Sequence, residues 1–150
     1  AGRGGKRSPL ARGLAQLGLT ADDVAVVSKH DTSTKANDPN ESELHTRLAR
    51  ALGRSEGNSL VAVSQKTITG HAKGGAAAFQ IIGLTQVLRS GLLPANRSLD
   101  CVDDVLDHHR HLVWLRETLQ LGGDLLRPAP LPEVRAQRAT KGLARCLTRP

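Results

Sequence analysis

Two histidines and one lysine are the residues of this sequence best placed to do chemistry. His30 follows the apolar run Val24-Ala25-Val26-Val27 and lies in the polar loop SKHDTST, residues 28–34. His71 follows a second apolar run, Leu60 to Ser64, and lies in the loop QKTITGHAKGG. Ligands of an open α/β sheet gather outside the carboxyl ends of its strands. Two such loops can therefore bring two imidazoles to one site. Lys66 lies five residues before His71. A cation beside an imidazole favours the neutral ring, which still donates one hydrogen bond. The spacing points to a joint catalytic role. The alternative is two loop histidines with ordinary hydrogen bonds.

The remaining reactive residues form weaker patterns. Asp107-His108-His109-Arg110-His111 offers metal-binding side chains, but contiguous residues on a helix point in different directions, and Arg110 sits among them. No metal site is expected there. The Gly70-His71-Ala72-Lys73-Gly74-Gly75 stretch lacks the spacing and the Lys-Ser/Thr ending of a phosphate-binding loop. Cys101 and Cys146 have no metal or redox spacing. Cys101 lies among Asp100, Asp103 and Asp104, and carboxylates disfavour a thiolate, so a structural role is expected.

The elements that must position the histidines follow from pattern. SPLARGLAQLGL fits a short helix with Ser8 as N-cap and Pro9 at its first position. Val24–Val27 suits a strand buried on both faces. NDPNESELHTRLARALG reads as a helix capped by Asn37 or Asp38. Glu41 and Glu43 lie in its early turns, where the dipole favours them. Leu44, Leu48 and Leu52 recur every four residues, and Gly53 ends it. Leu60–Ser64 is a second buried strand. The segment from about 74 to 90 is apolar nearly all round, which implies a helix buried between layers. GLLPANRSLD is an extended crossing segment. A short helix and a strand around 112–115 complete a strand–helix alternation, which indicates an α/β domain.

Composition sets the outer bounds. The chain has 150 residues with one Phe, one Trp, no Tyr and no Met, so aliphatic side chains and Ala must fill the core. No run approaches the roughly 18 apolar residues of a membrane span. The basic start lacks the apolar segment of a secretory signal. A reducing, cytoplasmic setting is expected. The net charge is +7, yet residues 1–12 carry +4 and residues 127–150 carry +5, leaving the body at −2. A basic nucleic-acid-binding module is the alternative class. The mildly acidic body and the scarcity of stacking aromatics argue against it.

With the motifs in view, the sequence resembles a known family. VSKHDTSTKANDPNES resembles the first-histidine motif of the thiolase-like condensing enzymes. VSQKTITGHAKGGAAAFQIIGLTQVLRSGLLPANRSLD resembles their lysine-and-second-histidine motif with the helix and Pro-Asn segment behind it. The wording is most similar to the β-ketoacyl-acyl-carrier-protein synthase domain of actinobacterial type I fatty acid synthases, such as those of mycobacteria. Fungal fatty acid synthases are similar but more distant. The resemblance covers residues 8–121. Residues 1–7 read as a basic leader or linker, and 122–150 as an irregular Arg/Pro-rich basic tail unlike the family.

The resemblance implies the C-terminal half of a thiolase-like α/β/α layered domain, incomplete at both ends. It implies an acyltransferase reaction, the decarboxylative Claisen condensation of fatty acid biosynthesis. A cysteine thiolate holds the acyl chain, malonyl-acyl carrier protein loses CO₂, and the carbanion attacks the acyl thioester. By resemblance, His30 and His71 hydrogen-bond the malonyl thioester carbonyl and Lys66 helps order the site. Thr32 and Thr34 match the loop lining the pantetheine channel. The domain needs no cofactor of its own; its substrates ride on the phosphopantetheine of acyl carrier protein. The partners implied are that carrier, the rest of the synthase and a second copy in a homo-oligomer. Asp31 stands where the wider family has glycine. Neither cysteine matches the nucleophile's motif, and nothing matches the family's closing Gly/Phe-rich loop. The chain alone is therefore expected to be inactive. The abrupt change near Gly122 is what a truncated gene copy or an out-of-frame reading produces.

Overall fold

The structure, a computed structural model, describes residues 7–97 and 99–121. The basic leader, all but Arg7, and the whole of the 122–150 tail lie outside the described residues.

Helix α1 (Pro9–Gln16) begins where local chemistry says it should. The Ser8 hydroxyl accepts from the Ala11 N–H at 3.1 Å, and Pro9 opens the first turn. A single 3₁₀ turn over Ala21–Asp23 follows, capped by Thr20. Strand β1 (Val26–Ser28) therefore starts two residues later than the apolar run suggests.

Strands β1, β2 (Leu60–Val63) and β4 (Leu112–Trp114) form a parallel sheet in the order β1-β2-β4. Val26 pairs with Val61, and Val61 with Val113. β2 is central and all four of its residues are buried. β1 is an edge strand and only half-buried, which corrects the expectation of burial on both faces. The pattern Val-Ala-Val-Val registers apolar character, and a strand's place in the sheet decides how much of it is covered. Val61, Val63, Val87, Leu93, Val113 and Leu115 form the core.

Helix α2 (Asn37–Ala51) connects β1 to β2. Its expected cap is also corrected. Neither Asn37 nor Asp38 caps it; the Thr34 hydroxyl accepts the Asn37 N–H at 3.2 Å, and Asp38 turns back to the preceding loop. The buried positions of α2 are Ser42 and Thr46, while Leu44 is exposed. Leu44 thus faces outward while Leu48 and Leu52 are half-buried, and the buried positions meet polar partners beside the sheet, Lys29 and His109. Gly53, at φ +76°, ends the helix region as expected.

After β2 come the one-turn helix α3 (Lys66–Thr69) and the long helix α4 (Ala76–Ser90). α4 was expected to be buried between layers. Only Ala76 and Val87 are buried, while Phe79, Ile81, Ile82 and Leu88 are exposed, Ile81 by 67%. Among the described residues nothing covers its outer face. The segment after α4 forms β3 (Leu92–Leu93), antiparallel to β5 (Leu119–Gln120). The one-turn helix α5 (Asp104–Asp107) leads into β4. Asn96, buried in the crossing segment, ties the sheet together. Its carbonyl accepts the Ser64 N–H at 2.7 Å and its amide donates to Ala62 and Leu115 carbonyls at 3.1 and 3.2 Å. No helix among the described residues is long and apolar enough to cross a membrane.

Candidate active site

Both histidines lie just past the C-terminal ends of adjacent parallel strands, His30 after β1 and His71 beyond β2 and α3. The ring centroids are 5.1 Å apart and the planes meet at 84°. The Lys66 ammonium is 3.1 Å from His30 Nδ1 and also donates to the His30 carbonyl. The structure thus brings the three residues picked out from sequence into one site.

The hydrogen bonds assign the ring protons. An ammonium can only donate, so His30 Nδ1 accepts and the proton of the neutral ring sits on Nε2. His71 Nδ1 accepts the Lys73 N–H at 3.0 Å, so its proton also sits on Nε2. Each histidine is left with one Nε2–H that no described residue takes up. Gly70 makes the turn that presents His71. Its φ of +67° and ψ of −179° lie in a region that essentially only glycine adopts.

A cleft of about 160 Å³ opens beside the pair, lined by Asp31, Thr32 and Ser33 from the first loop and by Ser64, Lys66, Thr67 and His71 from the second. Thr32 therefore lines the cleft. Thr34 is not among its lining residues; its hydroxyl lies 3.1 Å from that of Thr32 and caps α2.

The first loop is held by side chains that the sequence reading placed elsewhere. Glu41, read as a dipole residue, reaches back from α2. Its carboxylate accepts the His30 N–H at 2.6 Å and the Asp31 N–H at 2.9 Å. Partial burial works against its charge, but the His45 ring 3.8 Å away and these two N–H groups hold its pKa down to about 2. Asp38 accepts the Thr32 N–H at 2.9 Å. From α4, the Gln80 amide donates to the Ser28 and Lys29 carbonyls at 3.1 and 2.9 Å. Lys29, fully buried, places its ammonium 2.7 Å from Asp31 and 2.9 Å from Ser42 Oγ. Burial pushes the Asp31 carboxyl up against the pull of that ammonium. The only sequence signal for Glu41 and Asp38 is an acidic start to a helix that follows a strand and loop.

The other candidates have structural places. His109 is buried, 2.7 Å from the Thr46 hydroxyl of α2, and burial pushes its pKa down. It ties α2 to the approach of β4. Cys101 is disulfide-bonded rather than a free thiol. Among the described residues no group of three or more His, Cys, Asp or Glu side chains could hold a metal ion.

Comparison with known proteins gives the family. Residues 3–100 match the model of the β-ketoacyl synthase C-terminal domain. The chain is 46% identical over 133 residues to the fatty acid synthase alpha subunit pigJ of Monascus ruber, covering 89% of this chain and 7% of that protein. It is 47% identical over 116 residues to the fatty acid synthase subunit alpha of Saccharomyces cerevisiae, covering 77% of this chain and 6% of that one. The aflA alpha subunit of Aspergillus parasiticus is 48% identical over 114 residues, again 7% of its length. The chain thus spans a small fraction of these relatives, and the shared segment contains both histidine loops' motifs within the matched family domain. The chain belongs to the β-ketoacyl synthase family, through the C-terminal domain of that family.

Proposed function

We propose that the chain supplies the C-terminal half of the ketoacyl synthase of a type I fatty acid synthase, thiolase-like in its layering. Residues 8–121 carry the motifs of that half, with 1–7 as a leader or linker and 122–150 as a basic tail. The reaction is the decarboxylative condensation of a malonyl thioester with an acyl-enzyme in fatty acid biosynthesis. The observation that carries this reading is the histidine pair, 5.1 Å apart, with both Nδ1 atoms taken by donors.

His30 and His71 each offer an Nε2–H to the malonyl thioester oxygen. As CO₂ leaves, that oxygen gains enolate charge, and preorganised donors stabilise it. The resulting carbon attacks the acyl thioester, forming the new C–C bond and releasing the enzyme thiolate. Lys66 fixes the tautomer of His30 and is a positioning residue. Thr32 borders the pantetheine path in the cleft; Thr34 supports it through the helix cap. The thiolate itself comes from the N-terminal half, because Cys101 is not a free thiol and Cys146 has no family motif. The chain alone is inactive on this reading.

The substrates arrive on the phosphopantetheine of acyl carrier protein, and no further cofactor is needed. The working enzyme is a homo-oligomeric, cytoplasmic, multidomain synthase. The wording SKHDTST and SQKTITGHAKGGAAA supports its actinobacterial branch, and the fungal relatives support the wider type I class. Co-expression with a ketoacyl synthase N-terminal half, followed by a condensation assay, tests the proposal. Product that disappears with His71→Ala supports it. No product from a complex shown to have assembled sinks it.

A further inference from the structure

We propose that Lys29 is a positioning residue for His30, acting through a buried ion pair with Asp31 that clamps the loop from beneath. The inference rests on the reading of His30 as a donor of the site. Lys29 and Asp31 flank His30 in sequence, and their side chains meet at 2.7 Å, while the His30 ring meets Lys66 and His71 instead. The pair therefore spans His30 and turns its side chain outward.

Four observations make this more than an incidental contact. Lys29 is fully buried, an uncommon place for a lysine, and such charges persist only when paired and hydrogen-bonded. Its ammonium also donates to Ser42 Oγ at 2.9 Å, and that hydroxyl donates to the Asp38 carbonyl at 2.8 Å. It lies 5.3 Å from the centroid of the Trp114 ring, at the end of β4. Its own backbone is pinned on both sides, the N–H to the Val63 carbonyl at 3.0 Å and the carbonyl to Gln80 at 2.9 Å. Lys29 thus has a fixed base and a fixed head.

Asp31 is in the opposite condition. Its φ is +26°, a left-handed conformation that costs a non-glycine residue conformational energy. Something must hold it there. Glu41 holds its N–H from one side, and Lys29 holds its carboxylate from the other. Lys29 also balances the local charge, since Asp31, Asp38 and Glu41 all face this loop. Removing either member of the pair leaves an uncompensated buried charge, whereas removing both together does not. Glycine at 31 would also accept the left-handed φ without strain.

The test is a double-mutant cycle on the full chain with Lys29→Met, Asp31→Gly and the two combined. Histidine ¹⁵N spectra read the tautomer of each ring, and urea unfolding reads the coupling. Each single variant should lose the Nε2–H signature of His30 and keep that of His71, or fail to fold. The combined variant should regain both, with coupling of on the order of tenfold or more in the folding equilibrium constant. In the unmodified chain, amine labelling should reach Lys29 at least about tenfold more slowly than exposed Lys35. Additive losses in the combined variant, an unchanged His30 in Lys29→Met, or Lys29 labelling as fast as Lys35 would each overturn the inference. None of these readouts uses activity. A chain that passes them yet supports no condensation removes the proposed reaction and leaves the clamp standing.

Discussion

Glu41→Ala should loosen the His30 loop while leaving the sheet intact. The Glu41 carboxylate accepts two backbone N–H groups, from His30 at 2.6 Å and Asp31 at 2.9 Å. Hydrogen bonds to charged groups contribute about 1.5–3 kcal/mol each. The loop is partly open to water, so the freed N–H groups regain some hydration and the lower end of that range applies. Two such bonds give about 3 kcal/mol of local order, or roughly 100-fold in the opening equilibrium. Native-state hydrogen exchange measures this directly. The His30 and Asp31 amides should exchange roughly 100-fold faster in Glu41→Ala. The Val61 amide, bonded to the Ala25 carbonyl at 2.9 Å in the sheet, should change little. Unchanged His30 and Asp31 exchange would refute the bracing role. So would a uniform acceleration that includes Val61, since the carboxylate would then be supporting the whole fold.

The same carboxylate sets a pH dependence. Its folded pKa is about 2 against an ordinary 4.5, so its contribution is fully present above pH 4.5 and is lost as pH falls through 2. Urea midpoints followed across that window should fall for the unmodified chain, and Glu41→Gln should flatten the fall. Asn96→Ala removes three buried hydrogen bonds between the crossing segment and the sheet. It should cost about 2–4 kcal/mol by urea denaturation. Gly83→Ala should also destabilise, by about 1–2 kcal/mol, although alanine is the better helix former. The added Cβ would lie 2.2 Å from Gln65 Nε2 and would displace the side chain that bonds the Gln80 carbonyl. A more stable Gly83→Ala variant would contradict so close an approach of α4 to the second loop.

The parts of this fold legible in sequence are those decided locally. Ser8 and Pro9 open α1, Gly53 marks the stop of α2, and the apolar run at 60–63 is a buried strand. The misreadings share one cause. A pattern such as Leu44-Leu48-Leu52, or the apolar length of α4, shows which surface is apolar and not what covers it. Leu44 and Ile81 are exposed because no described residue packs over them. The site divides in the same way. His30, Lys66 and His71 were visible because strand ends and loop composition single them out. Glu41, Gln80 and Lys29 were not, because their roles arise from chain segments 10 to 52 residues apart meeting in space. A carboxylate one turn into a helix reads as a dipole partner until the loop it braces is folded against it.

His30 and His71 are proposed to act together as donors to one oxygen. Decarboxylation of a malonyl thioester tests this most directly, in the synthase reassembled from this chain and an N-terminal half. His30→Ala and His71→Ala should each slow CO₂ release by roughly 100-fold or more, the scale of a lost oxyanion donor. The double variant should be far less than multiplicatively worse, because the two rings serve as a unit. Wild-type CO₂ release by either single variant would contradict the claim.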